Sequence, residues 1–250
     1  EALADVGVLT YADVVVNHMA NERRGATTFP GASTLAEYAS QPDYWAQQRL
    51  YGDLDEGLFS PQDFHPARCI RDYGNRPGVI NGRICGGGDD PGLPDLRDTL
   101  PGESWVLEQR RQYVEALYDL GVRGFRLDAA KHMPNDAIRY FVPDYIANTA
   151  HIFAEIITTG GVGDSEYTLF LEPYLRELPP TFDAYDFPLL NVIRQAFSLG
   201  RPLSDLAQPY GTGNALENRR AVTVVVTHDI PYNEPFRYLI MDPIDEDLAY

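Results

Sequence analysis

Five short apolar runs divide the chain: Ala12–Asn17, Val122–Asp128, His151–Ile157, Thr181–Phe187 and Ala221–Thr227. They are too short for helices and rich in β-branched or aromatic residues, which predicts buried strands. Helical patterns separate the last four. In Glu103–Leu120 the residues Val106, Tyr113, Val114, Leu117 and Leu120 recur at helical spacing, and Gly121 follows where a left-handed C-terminal cap belongs. Strands alternating with helices in this rhythm predict an α/β fold with a parallel sheet, open or closed.

The first connection breaks the rhythm. Asn17 and Val122 stand 105 positions apart, whereas a βαβ unit needs about 30 residues. Setting aside the helix before Val122 leaves residues 19–98 as an insertion, rich in Gly, Pro, Asp and Tyr and containing Gly86-Gly-Gly-Asp-Asp-Pro-Gly92. Connections of that length are rarely structureless. The expected organisation is therefore an α/β part at 1–18 and 99–250 with an irregular subdomain at 19–98. About 170 residues then remain for the α/β part, enough for five or six units and short of the eight in a closed barrel.

Composition narrows the function classes. Hydrophobic positions make up 44% of the 250 residues and charged ones 23%, which excludes a wholly disordered chain. The formal charge of −17, from 20 basic and 37 acidic residues, repels polyphosphate and argues against nucleic-acid and membrane-surface partners. No stretch approaches the roughly 20 apolar residues of a spanning helix. Cys69 and Cys85 are either two unrelated thiols or one surface disulfide, and a disulfide would place the protein outside the cytosol. The sequence starts at Glu1 without a signal-peptide pattern and stops at Tyr250 in mid-pattern, which leads us to expect a stretch of a longer chain.

Polar residues gather at the C-terminal ends of the predicted strands: Asn17 and His18; Arg126 and Asp128, followed by Lys131 and His132; Glu155; and Thr227, His228 and Asp229. Parallel α/β proteins place their active sites at that edge. Three carboxylates from three strands form the constellation that glycoside hydrolysis needs, one to attack the sugar and one to protonate the leaving oxygen. Strand alternation puts Phe125 and Leu127 on one face and Arg126 and Asp128 on the other. Arg126 beside Asp128 would hold it ionised as a nucleophile, while burial would keep Glu155 protonated as an acid. Taken alone, an Arg-x-Asp on a strand also fits a structural ion pair.

The segments Asp13-Val-Val-Val-Asn-His18, Gly124-Phe-Arg-Leu-Asp-Ala-Ala-Lys-His132, Phe153-Ala-Glu155-Ile-Ile and Val226-Thr-His-Asp229 resemble, in order, the four signature regions of the α-amylase family, glycoside hydrolase family 13. Leu93-Pro-Asp-Leu96 resembles a fifth. The resemblance implies a (β/α)₈ TIM barrel with a domain inserted after the third strand. Our five runs would be the third to seventh strands, with the first, second and eighth absent. By the same resemblance, Asp128 is the nucleophile, Glu155 the general acid/base and Asp229 a third carboxylate binding sugar hydroxyls. Arg126 stands beside the nucleophile, His18 and His228 bind the sugar at the cleavage subsite, and Lys131 and His132 face the leaving-group side. Asn17, Asp95 and the backbone carbonyl of His132 resemble calcium ligands, and oxygen donors of this kind suit calcium.

The resemblance thus implies a retaining hydrolase of α-1,4-glucans acting through a covalent glycosyl-enzyme. The alternatives are a transglycosylase of the same family, or a truncated, inactive or glucan-binding chain. Thr227 departs from the family, where Asn usually precedes the His-Asp pair. Glu172 is a rival for the acid, lying past the third run. Tyr44, Trp45, Tyr51 and Tyr73 would either stack on sugars or form the core of the insertion. The acidic run Asp242–Asp247 reads as solvated surface. An extracellular location follows from the polymeric substrate, the calcium and the possible disulfide.

Overall fold

The computed structural model describes residues 3, 6–19, 63–85, 92–98, 104–158, 160, 164–198, 200–207, 220–224 and 227. All five predicted strands form, each shorter than its apolar run: β1 Tyr11–Val14, β2 Gly124–Leu127, β3 His151–Ala154, β4 Phe182–Tyr185 and β5 Ala221–Val222. They make one sheet in chain order, β1-β2-β3-β4-β5, in which β1–β2 and β4–β5 pair in parallel. The shortening of β1 has a visible cause. Beyond Val14 the backbone changes partners: Leu96 N donates to Asn17 O and Met19 N to Pro94 O, each at 2.9 Å.

The helices are α1 Arg76–Ile80, α2 Trp105–Asp119, α3 Asn135–Phe141, α4 Asp144–Ala147, α5 Glu172–Glu177 and α6 Phe187–Ser198. The predicted helix before β2 is α2. Ser104 Oγ caps it by accepting from Leu107 N at 3.3 Å. At its other end Gly121 adopts φ +100°, so that Gly121 N reaches Tyr118 O and Val122 N reaches Leu117 O. That paired closure needs a left-handed residue, and glycine takes it without strain. The buried stripe matches the expected one in part. Val106 and Val114 are buried as expected, together with Leu107 and Arg110, while Leu120 is 61% exposed. Val106, near the start of α2, packs against Phe64 and Leu96.

The chain divides into two compact units, Glu1–Ile152 and Phe153–Tyr250. In the first, Phe125 and Leu127 of β2 and Ile138 and Phe141 of α3 are fully buried. Burial of such side chains stabilises by about 1.5–3 kcal/mol each. In the second, Phe187 and Leu190 pack with Ile157, Tyr185 and Val224. Asp186 Oδ1 accepts from Leu189 N at 3.0 Å in the first turn of α6. The buried Arg220 guanidinium donates to the carbonyls of Leu175, Pro179 and Phe182, fastening the turn after α5 to the start of β5.

Cys69 and Cys85 form a disulfide, which decides between the two readings of the pair. Gly92 passes directly over it with φ +73°, so close that a Cβ there would lie 2.2 Å from Cys85 Sγ. A cross-link over 16 residues removes loop entropy from the unfolded chain worth about 3 kcal/mol. Reduction is accordingly expected to cost about 2–3 kcal/mol of stability. Urea denaturation with and without reductant measures it, and coincident midpoints would show that the cross-link does not limit the unfolded state.

Candidate active site

The β1–β2 register sets Asp13 opposite Arg126. With Phe125 and Leu127 turned into the core, Arg126 lies on the other face, only 5% exposed. Its Nη1 donates to Asp13 Oδ1 at 2.7 Å and also to Asp128 Oδ1. One guanidinium nitrogen therefore holds two carboxylates, one at the end of each strand. The ladder closes where Asp128 N donates to Val14 O at 3.1 Å. Ala129 then turns left-handed, with φ 49°, a conformation that costs a non-glycine residue roughly 1–2 kcal/mol. It leads into a tight 3₁₀ turn, Ala130–His132, in which Lys131 and His132 are buried.

Burial pushes the Asp128 carboxyl above the ordinary range; Arg126 and His18 pull it down, and Asp13 adds to the rise. The guanidinium favours the ionised form, as expected of Arg126 beside Asp128, and desolvation works against it. Burial also lowers His18, against the pull of Asp128 and with reinforcement from Arg110. His132 is pushed down to about 3, chiefly by burial and then by Lys131 and His18. Both imidazoles are therefore neutral near pH 7. The ring of Tyr73 stands edge-on to His132 with centroids 5.9 Å apart, and Lys131 Nζ lies 4.7 Å from its centre. Tyr73 thus sits beside Lys131 and His132 and remains 37% exposed.

A second cluster forms around Asp95. The segment through it is gripped on both sides: His18 and Asp95 form an antiparallel bridge, as do Phe64 and Leu96. Main-chain bonds continue with His65 N to Asp95 O at 2.9 Å and Arg97 N to Asp63 O at 2.8 Å. Asn17 and Asp95 are buried to 0% and 1% exposure. Asn17 Nδ2 donates to Asp95 Oδ1 at 3.1 Å, while His65 Nδ1 meets Asp95 Oδ2 at 2.7 Å. Burial raises the Asp95 carboxyl, against hydrogen bonds from His65 and Asn17 and the charge of Arg110. Asn17 Oδ1 is buried and accepts no hydrogen bond from any described residue. An orphaned amide oxygen beside a buried carboxylate is what a hard cation would satisfy. Among the described residues no three His, Cys, Asp or Glu side chains converge on one point, so a cation here would rely on amide and backbone oxygens as well.

Sequence reasoning missed His65, Arg83 and Arg110. Arg110 pairs with Asp98 and donates to Leu96 O at 3.5 Å, and burial lowers it to about 10. Its signal was present, since position 110 lies on the stripe through 106 and 114 and a charge there implies a buried partner. Arg83 is 4% exposed and feels the charge of Asp95. His65 carried no signal in pattern or spacing.

In the second unit Glu155 follows β3 and is 7% exposed. Its rival Glu172, the first residue of α5, is exposed to solvent. Thr227 is 8% exposed. His228, Asp229, Tyr44, Trp45, Tyr51 and Asp242–Asp247 lie outside the described residues.

A sheet whose strands run parallel and end in a guanidinium-held carboxylate belongs to the α/β class that works at the carboxyl edge of its sheet. No family model matches the chain. It is 46% identical over 246 residues to the alpha-amylase of Aeromonas hydrophila, an alignment covering 98% of this chain and 52% of that protein. It is 30% identical to an alpha-amylase-related protein of Drosophila ananassae, over 90% of this chain and 42% of that one. Among solved structures it superposes on wild-type alpha-amylase I of Eisenia fetida with a TM-score of 0.60 at 25% identity, covering 90% of this chain and 42% of that one. The chain therefore spans about half the length, or less, of the relatives it matches. The chain belongs to the α-amylase family, glycoside hydrolase family 13.

Proposed function

We propose that the chain carries the catalytic centre of a retaining α-amylase that hydrolyses α-1,4-glucans. The observation that carries this reading is Asp128 at the end of β2, part-buried and gripped by Arg126, in a chain 46% identical to an alpha-amylase. In this reading β1 to β5 correspond to the third to seventh strands of an eightfold barrel, and residues 19–98 to its inserted domain. A mutant of the Eisenia fetida enzyme has been solved as a maltohexaose complex, which supports an α-glucan as the substrate class here. Secretion follows from a polymeric substrate and is supported by the disulfide.

Asp128 attacks the anomeric carbon as Glu155 gives its proton to the departing glycosidic oxygen, leaving a covalent glycosyl-enzyme. Glu155, now a base, takes a proton from water, which displaces Asp128 and returns the α configuration. Arg126 orients the attacking carboxylate and lowers the cost of its ionisation against burial. Asp229 binds sugar hydroxyls in the distorted transition state, His18 and His228 hydrogen-bond the sugar undergoing cleavage, and Lys131 and His132 contact the leaving side. Calcium would be held by Asn17 Oδ1, the Asp95 carboxylate and the His132 carbonyl. When bound it supplies positive charge that fixes these segments together, and it takes no part in bond cleavage.

Proton NMR of a malto-oligosaccharide incubated with the chain and calcium tests the mechanism. Reducing ends are expected first as the α-anomer. Early β-anomer would refute the covalent route, and longer oligosaccharides at high substrate concentration would identify a transferase instead.

A further inference from the structure

We infer that His65 is a positioning residue for the cation site, fixing the carboxylate of Asp95 in the orientation that a bound calcium ion requires. The inference rests on the calcium reading above.

The geometry is specific to this one residue. His65 holds Asp95 at two points: its backbone N donates to the Asp95 carbonyl at 2.9 Å, and its Nδ1 meets Oδ2 at 2.7 Å. The other carboxylate oxygen, Oδ1, takes its hydrogen bond from Asn17 at 3.1 Å. Each carboxylate oxygen offers about two acceptor directions. One direction on each is therefore occupied by a protein donor, and rotation about the Cβ–Cγ bond is blocked at both ends. The remaining directions are left for a cation, next to Asn17 Oδ1, which has no hydrogen-bond partner among the described residues.

Ligating carboxylates are generally held by such outer partners, whose loss weakens metal binding by about 10–100-fold. His65 is well placed for this work because it is itself held. Its ring is 11% exposed, and Phe64 beside it bridges Leu96 and lies in the apolar cluster with Val106 and Met19.

Calcium titration calorimetry on the full chain tests the inference, with unfolding temperatures measured in calcium and in EDTA. His65→Ala is expected to weaken calcium binding 10–100-fold and to shrink the rise in unfolding temperature that calcium gives, while the temperature in EDTA changes little. His65→Asn, whose amide N–H can take the place of Nδ1–H, is expected to keep most of the affinity. Asp95→Asn should abolish binding.

Unchanged affinity in His65→Ala would overturn the inference. So would equal weakening in His65→Ala and His65→Asn, or an equal loss of unfolding temperature with and without calcium, since those mark a packing role. A wild-type chain that binds no calcium, or an Asp95→Asn variant that binds as well as wild type, would remove the calcium reading itself. The two failures are distinguishable because only the second appears without any change at position 65.

Discussion

Asp128→Asn is expected to lower turnover of a malto-oligosaccharide by about 10⁴-fold or more and yet to leave the protein at least as resistant to unfolding at pH 7. The two halves have one cause. An amide cannot attack the anomeric carbon, so the covalent step is lost. The Asn oxygen can still accept from Arg126, which also keeps Asp13 at 2.7 Å, so no buried cation is stranded. What disappears is the cost of holding a carboxylate out of water. Because burial raises the folded pKa of Asp128 above its ordinary value of 3.8, proton binding favours the folded state. That contribution is complete below the unfolded pKa and is lost as pH rises through the folded one. The variant lacks this dependence, so its stability relative to wild type should grow across the same window. Thermal unfolding of both proteins from pH 3 upwards measures it. A flat difference would remove the upward shift at Asp128, and an Asn variant that turns over substrate normally would remove Asp128 from the nucleophile's place.

The second large effect falls on Glu155. Glu155→Gln should cost about 10²–10⁴-fold on a malto-oligosaccharide, whose leaving sugar needs a proton. A glycosyl fluoride, whose leaving group departs without one, should lose far less in the first step. Since the same residue must later deprotonate water, this substrate should give a burst of fluoride near one equivalent and then stall as the glycosyl-enzyme accumulates. Equal losses on both substrates, with no burst, would mean that Glu155 does not transfer the proton. Glu172→Gln is the natural comparison and should be almost silent, because that side chain is exposed on α5.

The strands were readable because they are short runs rich in β-branched residues, and nothing else in the chain competes with Val14-Val15-Val16 or Val222 to Val226 for that pattern. Their ends were not readable. Val15 and Val16 read as strand, but β1 ends at Val14 and the backbone at Asn17 and Met19 pairs with Leu96 and Pro94 instead, and no local pattern announces a partner 78 positions away. The helix α2 shows the same limit. Its cap residues Ser104 and Gly121 are local chemistry and could be read directly. Its buried stripe depends on Phe64 and Leu96, which arrive from elsewhere.

At the site, residue types and order pointed to Asp128, Arg126, Asn17 and Asp95, and the structure places the first two together and the last two together. The sequence shows the charge of Arg126 beside Asp128 but not how much water is excluded there, so the opposing effect of burial is visible only in the structure. His65 was invisible for a related reason: its role is defined entirely by the oxygen it meets, 30 residues on.

The double grip on Asp95 also divides the cost of assembling this junction unequally. Bringing ends together costs entropy that grows with the length of chain between them. The cross-link from Cys69 to Cys85 spans 16 residues, His65 to Asp95 spans 30, and Asn17 to Asp95 spans 78. With His65 on Asp95, only the 48 positions from Asn17 to His65 remain to be spanned. The His65 side thus lowers the loop-closure cost of the Asn17 side, and the two grips on one carboxylate support each other.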